Sequence, residues 1–300
     1  VEVTPELACT LIGEQFPSLR PVHATPYGAG WDNTAYLVND RYVFRFPHRA
    51  VAVPLLAAEC RVLPAIAKNV HLQIPAPMFV GKPSPRFAWP FAGAPEVPGQ
   101  TACRARLSPR QRARQAQPLA RFLAALHRLT PAEVPGVGHD HFHRSDLARR
   151  IPQVYERLAE ARQRGLVGYH ARYEAILEAV PMDAVMRTDV LVHGDLYARH
   201  LIVDPRGDLT GVIDWGDAHR GDPHLDLALA HSFLPPRARA VFLETYRACG
   251  DGSSIDPHTW ELARYRSLYS SLTIAVYGHD IGDAALCAEG QWALANLLAD

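Results

Sequence analysis

Apolar and polar positions along the first ninety residues alternate in short runs. From Tyr36 to Phe46 the sequence YLVNDRYVFRF reads as two β-rich stretches around Asn39-Asp40, the signature of a hairpin turn. Upstream, YGAGWDNT places Gly28 and Gly30 in a loop that leads through Asn33 into the first of these strands. After Pro54, LLAAECRVLPAIA has apolar residues at helical spacing and predicts a helix of about three turns. IPAPMFVGKPSPRFAWPFAG then predicts a strand, a turn and a second strand running into a connection.

Beyond Gly99 the period lengthens. Ser108-Pro109-Arg110-Gln111 has the form of a capping box with proline at the first helical position. Leu119, Phe122, Leu123, Leu126 and Leu129 form one helical stripe. Helical patterns recur at 147–162, 172–180, 225–233, 237–248, 260–277 and 284–298. One β feature interrupts them: Leu201-Ile202-Val203, a turn at Asp204 to Asp208, and a return over Leu209 to Ile213. The expected organisation is a small, mostly β lobe over residues 1–91 and a larger, mostly helical lobe over 92–300, within the size at which one core gives way to two.

Composition narrows the classes of function. Apolar residues at 48% and charged residues at 21% describe a globular protein. Basic and acidic side chains balance at 31 each, which removes the usual footprint of a nucleic-acid or anionic-membrane binder. Cysteines 9, 60, 103, 249 and 287 form no C-x-x-C pair and fit a reducing compartment. Glu2 and Glu6 stand where a secretory signal would be basic and then apolar, so the expectation is a cytoplasmic protein.

The chemistry is concentrated in LVHGDLYARHLIVDPRGDLTGVIDWGDAHRGDPHLDLA, residues 191–228. Asp195, His200 and Asp214 lie on the loops and strand ends around the short hairpin. A carboxylate to accept a hydroxyl proton and two further ligands to hold a metal are what phosphoryl transfer requires, because its loose transition state asks the protein for positioning and charge neutralisation. Asp195 is the candidate base, and His200 and Asp214 are the candidate metal ligands.

HGDLYARH, IDWGDA and GDPHLDLA together resemble the aminoglycoside and macrolide phosphotransferase family of antibiotic kinases, and more distantly the protein-kinase catalytic loop. The resemblance implies an α+β, bilobal protein-kinase-like fold with a five-stranded antiparallel sheet in the N-lobe and a helical C-lobe. It further implies Mg²⁺ with ATP or GTP as donor, and a small-molecule hydroxyl as acceptor. Two positions depart from the pattern. His200 replaces the usual asparagine, and Arg45 replaces the strand lysine that touches the α- and β-phosphates; arginine keeps the charge and adds a fork.

On this reading Glu59 is the partner of Arg45, Gly28 and Gly30 admit phosphates, and the base packs against a lobe connection at Trp89-Pro90-Phe91-Ala92. His193 orders the catalytic loop through backbone hydrogen bonds. Asp226 supports that loop from a helix start, and Asp217 and Asp222 either support or cap it. Arg104, Arg106, Arg110, Arg112 and Arg114 read as a solvated helix face, and His139, His141 and His143 as a loop. Trp260, Tyr265, Tyr269 and Tyr277 read as core residues, of which one or two line the acceptor pocket. The rival readings are a metabolic kinase of the same fold, acting on choline, a sugar or homoserine; a protein kinase, disfavoured because no long activation segment ending in A-P-E follows Asp214; and an inactive nucleotide-binding module.

Overall fold

The structure is a computed structural model that describes residues 3–29, 33–250 and 255–299. Helix α1 (Pro5–Gln15) starts where Thr4 accepts a hydrogen bond from the Leu7 N–H, with Pro5 in the first turn. The N-lobe sheet consists of β1 (Ala24–Ala29), β2 (Asn33–Val38), β3 (Tyr42–Pro47), β4 (Phe79–Gly81) and β5 (Phe91–Pro95), in the order β1-β2-β3-β5-β4 and antiparallel throughout. Asn39 and Asp40 both take positive φ, which gives the β2–β3 hairpin a turn whose twist matches its strands.

Side-chain alternation assigns the two faces of this sheet. Tyr36, Val38, Phe44, Phe46 and Phe91 are buried against Leu11 and Ile12 of α1. The face bearing Arg45 and its register partner Ala92 is the opposite one. Gly93 sits beneath Phe44, whose ring atoms lie 2.4 Å from where a β-carbon would stand, so the strand passes through this glycine and does not stop there. Helix α2 (Ala52–Ala67) spans 16 residues, longer than the predicted three turns, and has Pro64 inside it.

The division expected between residues 91 and 92 therefore cuts through β5, which runs to Pro95 and is bonded to both β3 and β4. The chain crosses to the C-lobe over residues 96–99, where a β-carbon on Gly99 would lie 2.4 Å from the Val203 carbonyl oxygen. A second tie joins the lobes. The backbone of Gln73, beyond α2, donates to the Thr210 carbonyl and accepts from the Val212 N–H, each at 2.9 Å. Val62, Leu63 and Ile66 of α2 enter the same apolar cluster as Phe122, Val212 and Trp215.

The C-lobe begins with β6 (Gln100–Thr101), α3 (Pro109–Arg114), capped by the reciprocal Ser108–Gln111 pair, and α4 (Ala116–His127). Then follow α5 (Leu147–Gln163), α6 (Ala171–Glu178), β7 (Val190–Val192), β8 (Leu201–Val203), β9 (Leu209–Val212) and β10 (His219–Gly221). Helices α7 (His224–Phe233), α8 (Pro236–Cys249), α9 (Pro257–Asp280) and α10 (Ala284–Leu298) complete the chain. Strands β6, β8 and β9 make one small sheet, and β10 pairs back on β7. Every residue of α7 is buried, so the helix that carries Asp226 is the fixed centre of the lobe.

The arginine run after β6 is not uniformly solvated. Arg104, Arg106, Arg110 and Arg114 are exposed, but Arg112 is buried, bonded to both oxygens of Glu289 and flanked by the Phe233 and Trp292 rings. Among the described residues no helix is long and apolar enough to cross a membrane, and all five cysteines are free.

Candidate active site

The β7–β10 ladder and the β8–β9 hairpin bring the sequence segment 193–226 to one point. Asp195 follows β7, His200 ends a 3₁₀ turn over Ala198–His200, and Asp214 follows β9 with φ +66°, a left-handed conformation that Asp tolerates better than most residues. His200 Nδ1 lies 2.7 Å from the Asp195 carbonyl oxygen, so that nitrogen carries the proton and donates. Its other nitrogen, Nε2, lies 3.1 Å from Asp214 Oδ2.

The paired contacts of His200 favour the imidazolium. Burial opposes the charge, but the hydrogen bond and the field of Asp214 prevail, and the His200 pKa lies above its ordinary value. Burial likewise pushes the Asp214 carboxyl up, and His200, His193 and Arg45 together bring it well below the usual carboxylate range. The donor set also suits magnesium. To hold a cation His200 would give up its Nε2 proton and keep the Nδ1 proton that it donates to the Asp195 carbonyl, which leaves Nε2 and the Asp214 carboxylate, 3.1 Å apart, as the two donors.

The loop carrying Asp195 is held from behind. His193 is fully buried; its Nε2 donates to the Ile213 carbonyl at 3.0 Å and its Nδ1 accepts from the Asp195 N–H at 3.4 Å. Burial lowers its pKa, which suits this neutral tautomer. Asp226, also with zero exposure, accepts the His193 N–H at 2.7 Å and the Gly194 N–H at 2.9 Å. Its Oδ2 also faces His127 Nε2 at 3.2 Å, and His127 Nδ1 in turn lies 2.8 Å from the Tyr246 hydroxyl. Gly194 adopts φ +82°, and a β-carbon there would lie 2.6 Å from the His219 ring and 2.7 Å from the Asp217 carbonyl oxygen.

The remaining acidic candidates divide. Asp222 accepts the N–H groups of Arg187 and His224 and a hydrogen bond from the His224 ring, which fixes the chain just before α7. Asp217 pairs at 2.7 Å with Arg144, which Asp140 also holds, at 2.8 Å.

In the N-lobe, Arg45 is paired through both terminal guanidinium nitrogens with Glu59, which is buried. Burial opposes the Arg45 charge, but Glu59 and then Asp214 outweigh it and hold the guanidinium charged. Gly28 lies on β1 after a bulge, and among the described residues nothing comes within 4 Å of a β-carbon placed on it. Gly30 falls outside the described residues. Asn33 opens β2 with its side-chain oxygen buried and, among the described residues, without a hydrogen-bond partner.

The expected connection Trp89 to Ala92 is corrected by the register. Phe91 stacks on Phe46 at 4.8 Å on the α1 face, and Trp89 packs on Phe87 in the same cluster, so neither faces Arg45. Ala92 is on the Arg45 side, inside β5 and upstream of the lobe connection.

A cavity of about 290 Å³ opens on Asp195, walled by Tyr197, Arg144, Arg150, Arg266 and residues of α9 that include Tyr269 and Tyr277. Tyr265 is buried in the core, and Trp260 packs on His231 and Phe242. Of the four C-terminal aromatics, two line the cavity. The three arginines come from the loop before α5, from α5 itself and from α9, and no local motif links them. His127 and Tyr246 behind Asp226 are equally silent in sequence, because their role exists only once α4, α7 and α8 have packed.

The family model described as "Phosphotransferase enzyme family" matches residues 23–263. A solved structure of APH(2″)-IIia with GDP and kanamycin is 26% identical, with 97% of each chain covered and a TM-score of 0.65. The macrolide 2′-phosphotransferase MphH of Brachybacterium faecium is 20% identical over 97% of each chain, with a TM-score of 0.61, a likeness of fold. The uncharacterized protein YcbJ of Bacillus subtilis is 37% identical over 60 residues, so the match spans a fifth of that protein's length.

Proposed function

The chain belongs to the phosphotransferase enzyme family, and from that premise we propose that it transfers the γ-phosphate of ATP or GTP to a hydroxyl of a small molecule seated in the cavity beside Asp195. One observation carries this reading: the half-buried Asp195 forms part of the cavity wall, and its own carbonyl oxygen is bonded to His200, which faces Asp214.

In the proposed reaction the acceptor oxygen bonds to the γ-phosphorus as the bond to the β-phosphate oxygen breaks, and the hydroxyl proton passes to the Asp195 carboxylate. Arg45, held by Glu59, meets the phosphates from the sheet side, and Gly28 leaves space for their approach. His200 and Asp214 would hold Mg²⁺, which when bound supplies neutralisation of the charge spread over the phosphate oxygens. Asp226 and His193 keep the Asp195 backbone in register through bonds that the acceptor does not touch. Dependence on a nucleoside triphosphate suits a cytoplasmic site of action.

The solved relatives' names speak of aminoglycosides and macrolides, so an antibiotic hydroxyl is the first acceptor class to test; phosphorylation there removes a donor and adds a charge that a target site cannot desolvate. A metabolic kinase of the same fold is the second reading, favoured by the arginines of the cavity. The test is coupled nucleotide turnover against a panel of antibiotics and hydroxylated metabolites, run beside Asp195→Asn. Acceptor-dependent turnover lost in the variant supports the proposal, and turnover retained in the variant refutes it.

A further inference from the structure

Electrostatics of the acceptor cavity run opposite to what a polyammonium ligand would need. Asp195 is the one carboxylate among the residues lining it, against three guanidinium groups. Arg144 is neutralised by Asp140 and Asp217. Arg150 is not: its hydrogen bonds go to the carbonyl oxygens of His143 and Phe142, the Gln153 side chain at 2.9 Å and the Tyr269 hydroxyl at 3.4 Å, all neutral.

Arg266 stands out further. It is only 7% exposed and has no hydrogen bond or ion pair among the described residues; its one specific contact is the Tyr269 ring, 5.0 Å from the guanidinium carbon to the centroid. Burial pulls its pKa down and the nearby Arg144 charge adds to that, against the attraction of Asp195. Its guanidinium opens on the cavity, where none of the described residues supplies it an acceptor. Arginine at a water-poor wall is the side chain suited to bidentate capture of a carboxylate or phosphate.

We infer that the acceptor is an anion: a hydroxylated small molecule whose carboxylate or phosphate is taken up by Arg266 and Arg150 while its hydroxyl meets Asp195. This rests on the kinase reading above and narrows it. Tyr197, Tyr269 and Tyr277 complete the wall around such a ligand, and the cavity volume of about 290 Å³ is at the small end for drug-sized molecules. A polycation would have to approach two uncompensated positive charges.

The test is calorimetric titration of the full chain, with saturating ADP and magnesium to fill the nucleotide site, using four matched probes. These are 3-(4-hydroxyphenyl)propionate, its amide, tyramine, and 2-(4-hydroxyphenyl)ethyl phosphate. The acid or the phosphate ester should bind about tenfold or more tightly than the amide, with tyramine weakest. The order of the two anions separates a carboxylate site from a phosphate site. Arg266→Met should bring the anions to the level of the amide, and Arg266→Lys should restore part of the difference. With any acid that is turned over, Arg266→Met should raise KM and leave kcat little changed.

Ligand-free Arg266→Met should also melt no lower than the parent, because the charge it removes has no partner; a lower melting temperature would mean a structural role and overturn the inference. So would tighter binding of tyramine or kanamycin than of the anions, anion affinity unchanged in Arg266→Met, or no anion binding below roughly 10 mM. Acceptor-dependent turnover of a cationic ligand would keep the kinase reading and sink this one. Arg266-dependent anion binding with no nucleotide consumption would do the reverse.

Discussion

Replacing Asp226 with Asn tests how the loop that carries Asp195 is held, at a fully buried residue. The carboxylate has zero exposure and serves three donors: Oδ1 takes the Gly194 N–H, and Oδ2 takes the His193 N–H and faces His127 Nε2. The asparagine amide has one oxygen. Its best placement is the Oδ2 position, where it keeps two donors, and its NH₂ then confronts the Gly194 N–H. One bond to an ionised acceptor is lost, a buried donor is left unpaired and the two surviving bonds lose charge assistance, at a cost of about 3 kcal/mol.

With an unfolding entropy of about 2.1 cal/mol/K per residue, a 300-residue chain should lose about 5 °C of Tm. Catalysis should suffer more than stability suggests, because Gly194 adjoins Asp195, and a displacement of about 1 Å at the base costs about 100-fold in kcat. Calorimetric melting and acceptor-dependent nucleotide turnover on the same preparation measure both. A variant with unchanged Tm and unchanged kcat would refute the role given to this carboxylate.

Asp195→Asn should lower kcat by about 10²–10⁴-fold while the nucleotide Kd, read by calorimetry, stays within about twofold. Arg45→Met should weaken nucleotide binding by about tenfold or more, as expected for a lost charge-assisted phosphate contact, and leave acceptor affinity unchanged. Gly194→Ala forces a β-carbon into the His219 ring at a left-handed position; a loss of about 1–2 kcal/mol or more from the conformation alone should appear in denaturant midpoints. Burial pushes the Asp226 carboxyl up, but His127, His193 and the loop N–H groups hold its folded pKa below the ordinary value. Its stabilisation is therefore present above the unfolded value of about 3.9 and is lost as pH falls through the folded pKa. The stability gap between the parent and Asp226→Asn should be constant above about pH 5 and close below about pH 4, as acid titration of the unfolding midpoint would show.

Local pattern carried much of this architecture. The helical stripes after residue 108 and the β2–β3 turn at Asn39-Asp40 are short-range signals, and the elements form within about three residues of where those signals stand. Helix α1 went unread although Thr4-Pro5 offers a cap and a first-turn proline, because its apolar face has meaning only against the sheet. The lobe connection was displaced for a related reason. Pro90 and Gly93 look like punctuation, but Gly93 is in mid-strand because the Phe44 ring needs its space.

The grouping of Asp195, His200 and Asp214 could be read from sequence because all three lie on one short hairpin segment. The cavity beside Asp195 could not. Its character is set by Arg144, Arg150 and Arg266, which meet only when the loop before α5 packs on α9, and composition reports only a balanced charge.

Acceptor-dependent consumption of ATP or GTP, followed with magnesium for the parent and Asp195→Asn side by side, bears most directly on the central claim. The account predicts stoichiometric phosphorylation of an acceptor hydroxyl by the parent and its loss in the variant with nucleotide still bound. Phosphorylated acceptor formed at the parent rate by Asp195→Asn would contradict it.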